Sequence, residues 1–241
     1  MLKCDFHIHT GEDTYDGIGY SAKTLIKLAA KYKYDVLSIT NHNTVYYEDV
    51  KSYAKKHNIL LIPGVEISIG LKHIVVLNCF DFDVKTFKGL EPMKNEGAFL
   101  IAPHPFFPHP TSMRMNFFMK HKHLFDALEY SYFYSKYVNF NNTAMRISKK
   151  YNIPVVANSD CHRLSNMNRN YSLIDAEKNI DSVFDAIRKN RIKLHTEPLS
   201  FKEFSKIALK IGFDSPGDII LTLKKQQKQP ILKPKEQEYY R

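Results

Sequence analysis

The chain has 241 residues, of which 44% are hydrophobic and 25% are charged, as is typical of a soluble globular protein. No segment has the length of a membrane span or the pattern of a signal peptide, so we expect a cytosolic protein with no membrane partner. The net charge of +10 favours anionic ligands, although the scattered lysines are typical of a solvated surface; nucleic acid is therefore kept as an alternative partner.

The three cysteines, Cys4, Cys79 and Cys161, are odd in number and widely spaced, which argues against a disulfide framework. Cys161 lies between Asp160 and His162, but in an extended segment its side chain points away from theirs. We therefore expect Cys161 to serve packing.

Residues 2–10 are predicted to form the first strand, whose period of two places His7 and His9 on one side with Lys3 and Asp5. Two imidazoles at a strand end can clamp a transition metal, although the pattern alone is a weak signal. The loop that follows holds three acidic residues: Glu12, Asp13 and Asp16.

The next elements alternate between helix and strand. Ser21 is predicted to cap a helix that runs to about residue 32, and the apolar run at 35–40 is typical of a buried parallel strand. That strand delivers Asn41 and His42 at its end. A helix at 46–57 leads to a strand at 59–69, which contains Glu66, and the strand at 72–80 begins at His73.

In the middle of the chain, a helix and turn at 81–97 precede a strand at 98–102, which runs into His104. His109 occupies a second Pro-His-Pro segment, but His104 is preferred because it directly follows the strand. Further helices are predicted at 113–124, 136–151 and 180–190, and further strands at 127–130, 153–157, 171–176 and 191–195. The strand at 153–157 leads to Asp160 and His162.

About seven alternations of strand and helix predict an α/β barrel with parallel strands and outer helices over residues 1–198. Residues 199–241 are predicted to be a C-terminal helix followed by a charged tail. In such barrels the functional site lies at the carboxyl ends of the strands, where residues 7–9, 41–42, 104 and 160–162 fall.

A site that gathered six histidines with Asp16, Glu66 and Asp160 would offer nine nitrogen and oxygen ligands and no thiolate. This set exceeds the needs of one ion and suits two or three Zn²⁺, Mn²⁺ or Fe²⁺ ions. Adjacent ions lower the pKa of a shared water to about 7 and clamp both oxygens of an in-line displacement. Hydrolysis of a phosphate ester by metal-activated hydroxide is therefore predicted, while amide hydrolysis stays open on the same physics.

The motifs at 7–10, 42–44, 64–66, 103–105 and 159–162 together resemble those of the polymerase and histidinol phosphatase (PHP) superfamily. The resemblance spans residues 1 to about 195. It implies a distorted (βα)₇ barrel, three bound divalent ions and phosphoesterase activity on a small phosphorylated metabolite or nucleotide. Because no polymerase domain fits in the remaining residues, we expect a stand-alone enzyme.

The resemblance also implies how the ions are held. His7 and His9 would bind the first ion with Asp160, and Glu66 would bridge to a second; these four residues are the expected catalytic set. His73 and His104 would complete the second site. His42 and His162 would hold the third ion with a loop acid, for which we choose Asp16 because it precedes Gly17; Asp13 is the second choice and Glu12 the third.

One position departs from the family pattern, because Asn41 stands where the family usually has Asp before His42. An amide can accept a hydrogen bond but carries no charge, so a role that needs an ionised group there is in doubt. Three arginines are candidates for holding a phosphate: Arg163, which follows a ligand directly, Arg114 and Arg169.

Two other functions are weighed against the phosphoesterase. One is a nuclease or phosphodiesterase acting on nucleic acid ends, which the basic charge would assist. The other is a non-catalytic barrel that binds RNA or protein, which the full ligand complement argues against.

Overall fold

The computed structural model describes residues 1–213, which form a mixed α/β fold. Its strands are β1 (Leu2–Asp5), β2 (Val36–Leu37), β3 (Leu60–Leu61), β4 (Gly64–Ile69), β5 (Lys72–Leu77), β6 (Phe99–Ala102), β7 (Ala127–Tyr130), β8 (Val155–Ala157), β9 (Asn170–Ile174) and β10 (Ile192–Thr196). Its α-helices are α1 (Ala22–Lys31), α2 (Glu48–Lys56), α3 (Leu90–Asn95), α4 (Met115–His121), α5 (Asn141–Tyr151), α6 (Ile180–Arg188) and α7 (Phe201–Phe213).

The helices follow the predicted alternation. The Ser21 side chain accepts a hydrogen bond from the Thr24 N–H at 3.3 Å, which confirms the predicted N-cap of α1. The predicted C-terminal helix is present as α7, whereas the charged tail lies outside the described residues. None of the helices within residues 1–213 combines the length and apolarity needed to cross a bilayer.

The strands form two five-stranded sheets, in the orders β10-β9-β1-β2-β3 and β4-β5-β6-β7-β8. Parallel pairs join β1, β2 and β3, and also β6, β7 and β8. The expectation of parallel strands throughout is wrong for β5, β9 and β10, which pair antiparallel with their neighbours. Only two residues separate β4 from β5, and such a short connection can join antiparallel strands but not parallel ones.

The two sheets do not close into one continuous ladder within the described residues. Two isolated parallel bridges connect the segments that follow β1 and β2 to the two edges of the second sheet, between Ile8 and Cys161 after β8 and between His42 and Glu66 of β4. Both bridges lie beyond the carboxyl ends of β1 and β2, so they tie the sheets together at the end where the predicted site residues gather.

The extended segment after β1 has two opposite faces. Phe6 and Ile8 are fully buried in apolar clusters, while His7 and His9 alternate with them on the other face. Cys161 packs in the same cluster as Ile8, as predicted. The core thereby fixes the direction in which both imidazoles point.

Candidate metal centre

Glu66, in the middle of β4, is the centre of the cluster and is almost fully buried. Five imidazole nitrogens surround its carboxylate: Nε2 of His42 at 3.0 Å, Nε2 of His7 and of His9 at 3.4 Å each, Nδ1 of His73 at 3.0 Å and Nε2 of His104 at 3.7 Å. His73 reaches this carboxylate because the antiparallel β5 begins beside the end of β4. One carboxylate therefore contacts five ligand-type side chains from four segments of the chain.

His7 and His9 direct their Nε2 atoms to the same place, 3.1 Å from each other. Asp160 Oδ1 lies 3.5 Å from both nitrogens, and Glu66 Oε2 lies 3.4 Å from both. Four potential ligand atoms thus converge. His7 and His9 lie on one side of the chain as the residue alternation predicted, although β1 is shorter than the predicted strand over residues 2–10 and ends at Asp5.

The first loop contributes two aspartates in different ways. Asp16 Oδ2 lies 2.8 Å from His162 Nε2 and 3.5 Å from His42 Nδ1. Asp13 Oδ2 contacts His42 Nδ1 at 2.9 Å and His9 Nδ1 at 3.0 Å. Both aspartates therefore contact His42, whereas only Asp16 also contacts His162.

The remaining loop acid is placed elsewhere. Glu12 accepts a hydrogen bond from the Ala22 N–H at 2.9 Å, at the start of α1. His109, the alternative to His104, contacts Thr111 Oγ1 through Nδ1 at 2.8 Å. Neither residue belongs to the groups of ligand-type side chains found among the described residues; His104 is also outside those groups, but its Nε2 lies 3.7 Å from Glu66 Oε1.

Two site residues have unusual backbone conformations. His104 has φ = 32° and Asp160 has φ = 44°, values that non-glycine residues rarely adopt. Such conformations cost about 1–3 kcal/mol each and persist only where surrounding contacts hold them. The His104 N–H donates to Glu129 Oε2 at 2.7 Å, and its Nδ1 lies 3.1 Å from Ser112 Oγ. The fold thus holds a strained residue at the edge of the cluster.

Glu129 is a site residue that the sequence analysis missed. It is fully buried, and its Oε1 lies 2.9 Å from His7 Nδ1. A carboxylate within the otherwise apolar strand 127–130 was the available signal, because such a group needs a buried partner.

Asp5 was placed on the face of His7 and His9 but given no role. It accepts hydrogen bonds from the Ser159 N–H at 3.1 Å and the His7 N–H at 3.3 Å. Burial raises the pKa of Asp5 to about 7, despite the lowering effect of these hydrogen bonds.

Asn41 faces the extended segment that follows β1. Its Oδ1 accepts a hydrogen bond from the Thr10 N–H at 2.9 Å, and its Nδ2 donates to Thr10 Oγ1 at 3.1 Å. Asn41 is fully buried in this position. Its hydrogen bonds hold the residue that follows His9, a task that needs no charge.

The structure separates the three candidate arginines. Arg169 forms an ion pair with Glu203 of α7, with Nη1 and Oε1 2.9 Å apart. Arg163 and Arg114 are exposed, the first directly after His162 and the second directly before α4. Within residues 1–213, none of the three forms an ion pair with a carboxylate of the cluster.

The charges of the cluster are balanced in an unusual way. In the part of the chain that the structure describes, no lysine or arginine lies within ion-pair distance of the five site carboxylates, which are Asp13, Asp16, Glu66, Glu129 and Asp160. Imidazoles are the only groups within that distance that can carry a positive charge. Buried carboxylates repel each other and need compensating positive charge, so protons on the histidines or bound cations must supply it.

The pKa values of the buried histidines and of Glu66 are shifted in the directions that favour charge on both groups. Burial lowers the pKa values of His7 and His9, but the surrounding carboxylates outweigh burial and hold both well above the ordinary value. The pKa of His42 is raised to about 9, with Glu66 as the main raising influence against burial. Burial likewise opposes ionisation of Glu66, yet the histidines around it hold its pKa well below its ordinary range. These carboxylates therefore favour positive charge on the imidazoles around them, which bound cations would also supply.

The donor set fits divalent cations. It contains imidazole nitrogens and carboxylate oxygens, the ligands typical of zinc, manganese and ferrous sites. The Nε2 atom of His73 is buried and has no hydrogen-bond partner among the described residues, which is costly for a polar atom unless a ligand completes it. Groups that can each hold an ion include His7, His9 and Glu66, and also His42, Glu66 and His73.

Comparison with known proteins places the chain in a family. Residues 138–192 match the family described as PHP-associated. An uncharacterized protein of Methanocaldococcus jannaschii is 31% identical over an alignment of 125 residues, and the match covers 44% of this chain and 70% of that protein. The PolC-type DNA polymerase III of Staphylococcus epidermidis is 35% identical over 65 residues, 27% of this chain but 4% of the polymerase.

Among solved structures, the lesion-specific endonuclease Q of Pyrococcus furiosus has a similar fold, with a TM-score of 0.58 and 11% identity. The similarity covers 98% of this chain and 73% of the endonuclease. These similarities agree with the motifs that the sequence carries at the site, and the chain belongs to the PHP, or polymerase and histidinol phosphatase, superfamily.

Proposed function

We propose that this protein is a metal-dependent phosphoesterase that hydrolyses a phosphate ester of a small metabolite or nucleotide. The observation that carries the proposal is the group of buried and partly buried carboxylates whose nearby positive charge can come only from imidazoles. A protein without cations would maintain this charge density only by protonating its histidines. Several divalent ions would replace those protons and leave a positive site suited to an anionic phosphate ester.

The proposed ligands divide into three groups. His7, His9 and Asp160 would hold one ion, and Glu66 would bridge it to a second ion held by His73 and His104. His42, His162 and Asp16 would hold a third. Asp16 is preferred over Asp13 because both oxygens of Asp13 already accept hydrogen bonds, from the imidazoles and from the Tyr15 N–H at 2.9 Å.

Bound divalent ions of this kind supply Lewis-acid activation of water and charge stabilisation of a phosphoryl group. The side chains of this protein would supply orientation. His7, His9, Glu66 and Asp160 form the proposed catalytic set because their ligand atoms converge within 3.5 Å. Arg163, exposed beside His162, would contact the phosphate of the substrate, and Arg114 is a weaker candidate.

We also infer that β1, β2 and β4–β8 form the distorted (βα)₇ barrel that the family resemblance implies. One bridge connects the segments after β1 and β8 and the other connects the segment after β2 to β4, while β3, β9 and β10 extend one sheet outside the ring.

A second candidate is a phosphodiesterase or nuclease. The net charge of +10 supports it, as does the fold shared with an endonuclease. Activity on oligonucleotides that falls steeply with salt, with little activity on mononucleotides, would favour this function. A non-catalytic binding barrel is the weakest candidate, because buried charges without counter-charge destabilise a scaffold.

The test is metal analysis of the purified protein, followed by a hydrolysis screen with added Mn²⁺ or Zn²⁺. The screen covers histidinol phosphate, mononucleotides, nucleotide bisphosphates, an aryl phosphate and short oligonucleotides. His9→Ala should abolish turnover, whereas His123→Ala, which removes an exposed imidazole paired with Glu91, should not. Absence of stoichiometric metal in the wild-type protein, or full activity of His9→Ala, would refute the proposal.

A further inference from the structure

Glu129 is a buried carboxylate that the proposed reaction does not use. It lies in the middle of β7, with no exposed surface, and the described residues offer it no lysine or arginine partner. A charge in such a position is costly unless it serves its neighbours through hydrogen bonds. What Glu129 contacts therefore indicates what it does.

Three donors from three different segments converge on its two oxygens. Oε1 lies 2.9 Å from His7 Nδ1 and accepts a hydrogen bond from Asn158 Nδ2 at 3.0 Å. Oε2 accepts the His104 N–H at 2.7 Å. These segments follow β1, β8 and β6, so one side chain of β7 ties together the carboxyl ends of three other strands.

From this geometry we propose that Glu129 is a positioning residue that prepares His7 and His104 to bind cations. This inference rests on the proposed metal site and adds a residue that the ligand motifs do not contain. With Nδ1–H donated to Glu129, the His7 ring presents the lone pair of Nε2 to Glu66 and Asp160. A carboxylate behind a ligating histidine fixes its tautomer and strengthens it as a ligand.

The second part of the role concerns His104. Its backbone φ of 32° is unfavourable, and the hydrogen bond from its N–H to Glu129 holds the residue in this conformation. The same conformation brings His104 Nε2 to 3.7 Å from Glu66 Oε1. Glu129 therefore supports ligands of two adjacent ions.

Substitution by glutamine separates this role from simple packing. Glutamine has nearly the same shape but only one acceptor oxygen, so its NH₂ group must face at least one of the three donors. We expect Glu129→Gln to weaken Mn²⁺ binding by about 10- to 100-fold in calorimetric titration of the metal-free protein. Glu129→Asp, which keeps the charge, should lose less affinity.

Asp126 provides a matched control directly before the same strand. It is also a buried carboxylate, accepting the Leu100 N–H at 3.0 Å and pairing with Arg188 at 3.2 Å. Asp126→Asn should lower the thermal stability but leave Mn²⁺ affinity unchanged. Wild-type affinity in Glu129→Gln would overturn this inference alone, whereas a wild-type protein that binds no Mn²⁺ would overturn the proposed function as well.

A measurement on the unaltered protein covers the case in which the variants do not fold. In the Zn²⁺-loaded wild-type protein, ¹⁵N NMR of the histidines should show His7 protonated at Nδ1 and unprotonated at Nε2. The opposite tautomer would overturn the proposal.

Discussion

Adding Mn²⁺ or Zn²⁺ to the metal-free protein at pH 7 should displace protons from the cluster. The pKa of His42 is raised to about 9, and the carboxylates around His7, His9 and His104 outweigh burial and raise their pKa values too. A protonated imidazole cannot bind a cation, so each ring must first lose a proton. We therefore expect metal binding to release protons, with His42 among the groups that lose one.

The magnitude for one ring can be worked out. His42 lies about two pKa units above pH 7, which is about 2.7 kcal/mol, or a 100-fold lower affinity for the ion that it holds. That affinity should therefore rise about 10-fold per pH unit up to about pH 9 and then level off.

Calorimetry in buffers of different ionisation enthalpy measures the number of protons released. Binding that releases no protons, with an affinity independent of pH between 6.5 and 9, would refute the assignment of these imidazoles as ligands.

The same linkage sets the stability of the metal-free protein. A histidine whose pKa is raised on folding stabilises the fold below its unfolded value of about 6.5, and this contribution is lost as the pH rises through the folded value. For His42 the loss should occur between about pH 6.5 and about pH 9. Cations replace the protons in the loaded protein, so the difference in Tm between loaded and chelator-treated protein should widen over this range.

Three substitutions test other parts of the structure. Glu66→Gln removes the charge that five imidazoles contact, and should lower kcat at least about 100-fold. The circular dichroism spectrum should be unchanged. Retention of most activity would contradict the proposed bridging role of Glu66. Arg163→Ala should raise KM while Arg169→Ala, whose side chain pairs with α7, should not; equal effects would contradict this distinction. Asn41→Ala leaves the buried Thr10 N–H without its partner and should destabilise the protein by about 1–3 kcal/mol in urea denaturation. An unchanged midpoint would contradict the stabilising role of this hydrogen bond.

The antiparallel course of β5 and the role of Glu129 were not predicted from the sequence, and each has an identifiable physical reason. The antiparallel course of β5 follows from its two-residue connection to β4. The prediction of parallel strands counted alternating helices and strands and did not use the length of this connection. Glu129 was missed because its partners lie at distant positions in the sequence, so no local spacing reveals them.

The sequence by itself determined the order of helices and strands and the ligand-type residues at the strand ends. Local patterns carry this information, because alternation along the first strand decides that His7 and His9 share one face. Which carboxylate oxygen meets which imidazole nitrogen was decided only by the tertiary structure. Asp16 lies near His162, although 146 positions separate them in the chain, because the packing of the two sheets brings their strand ends together.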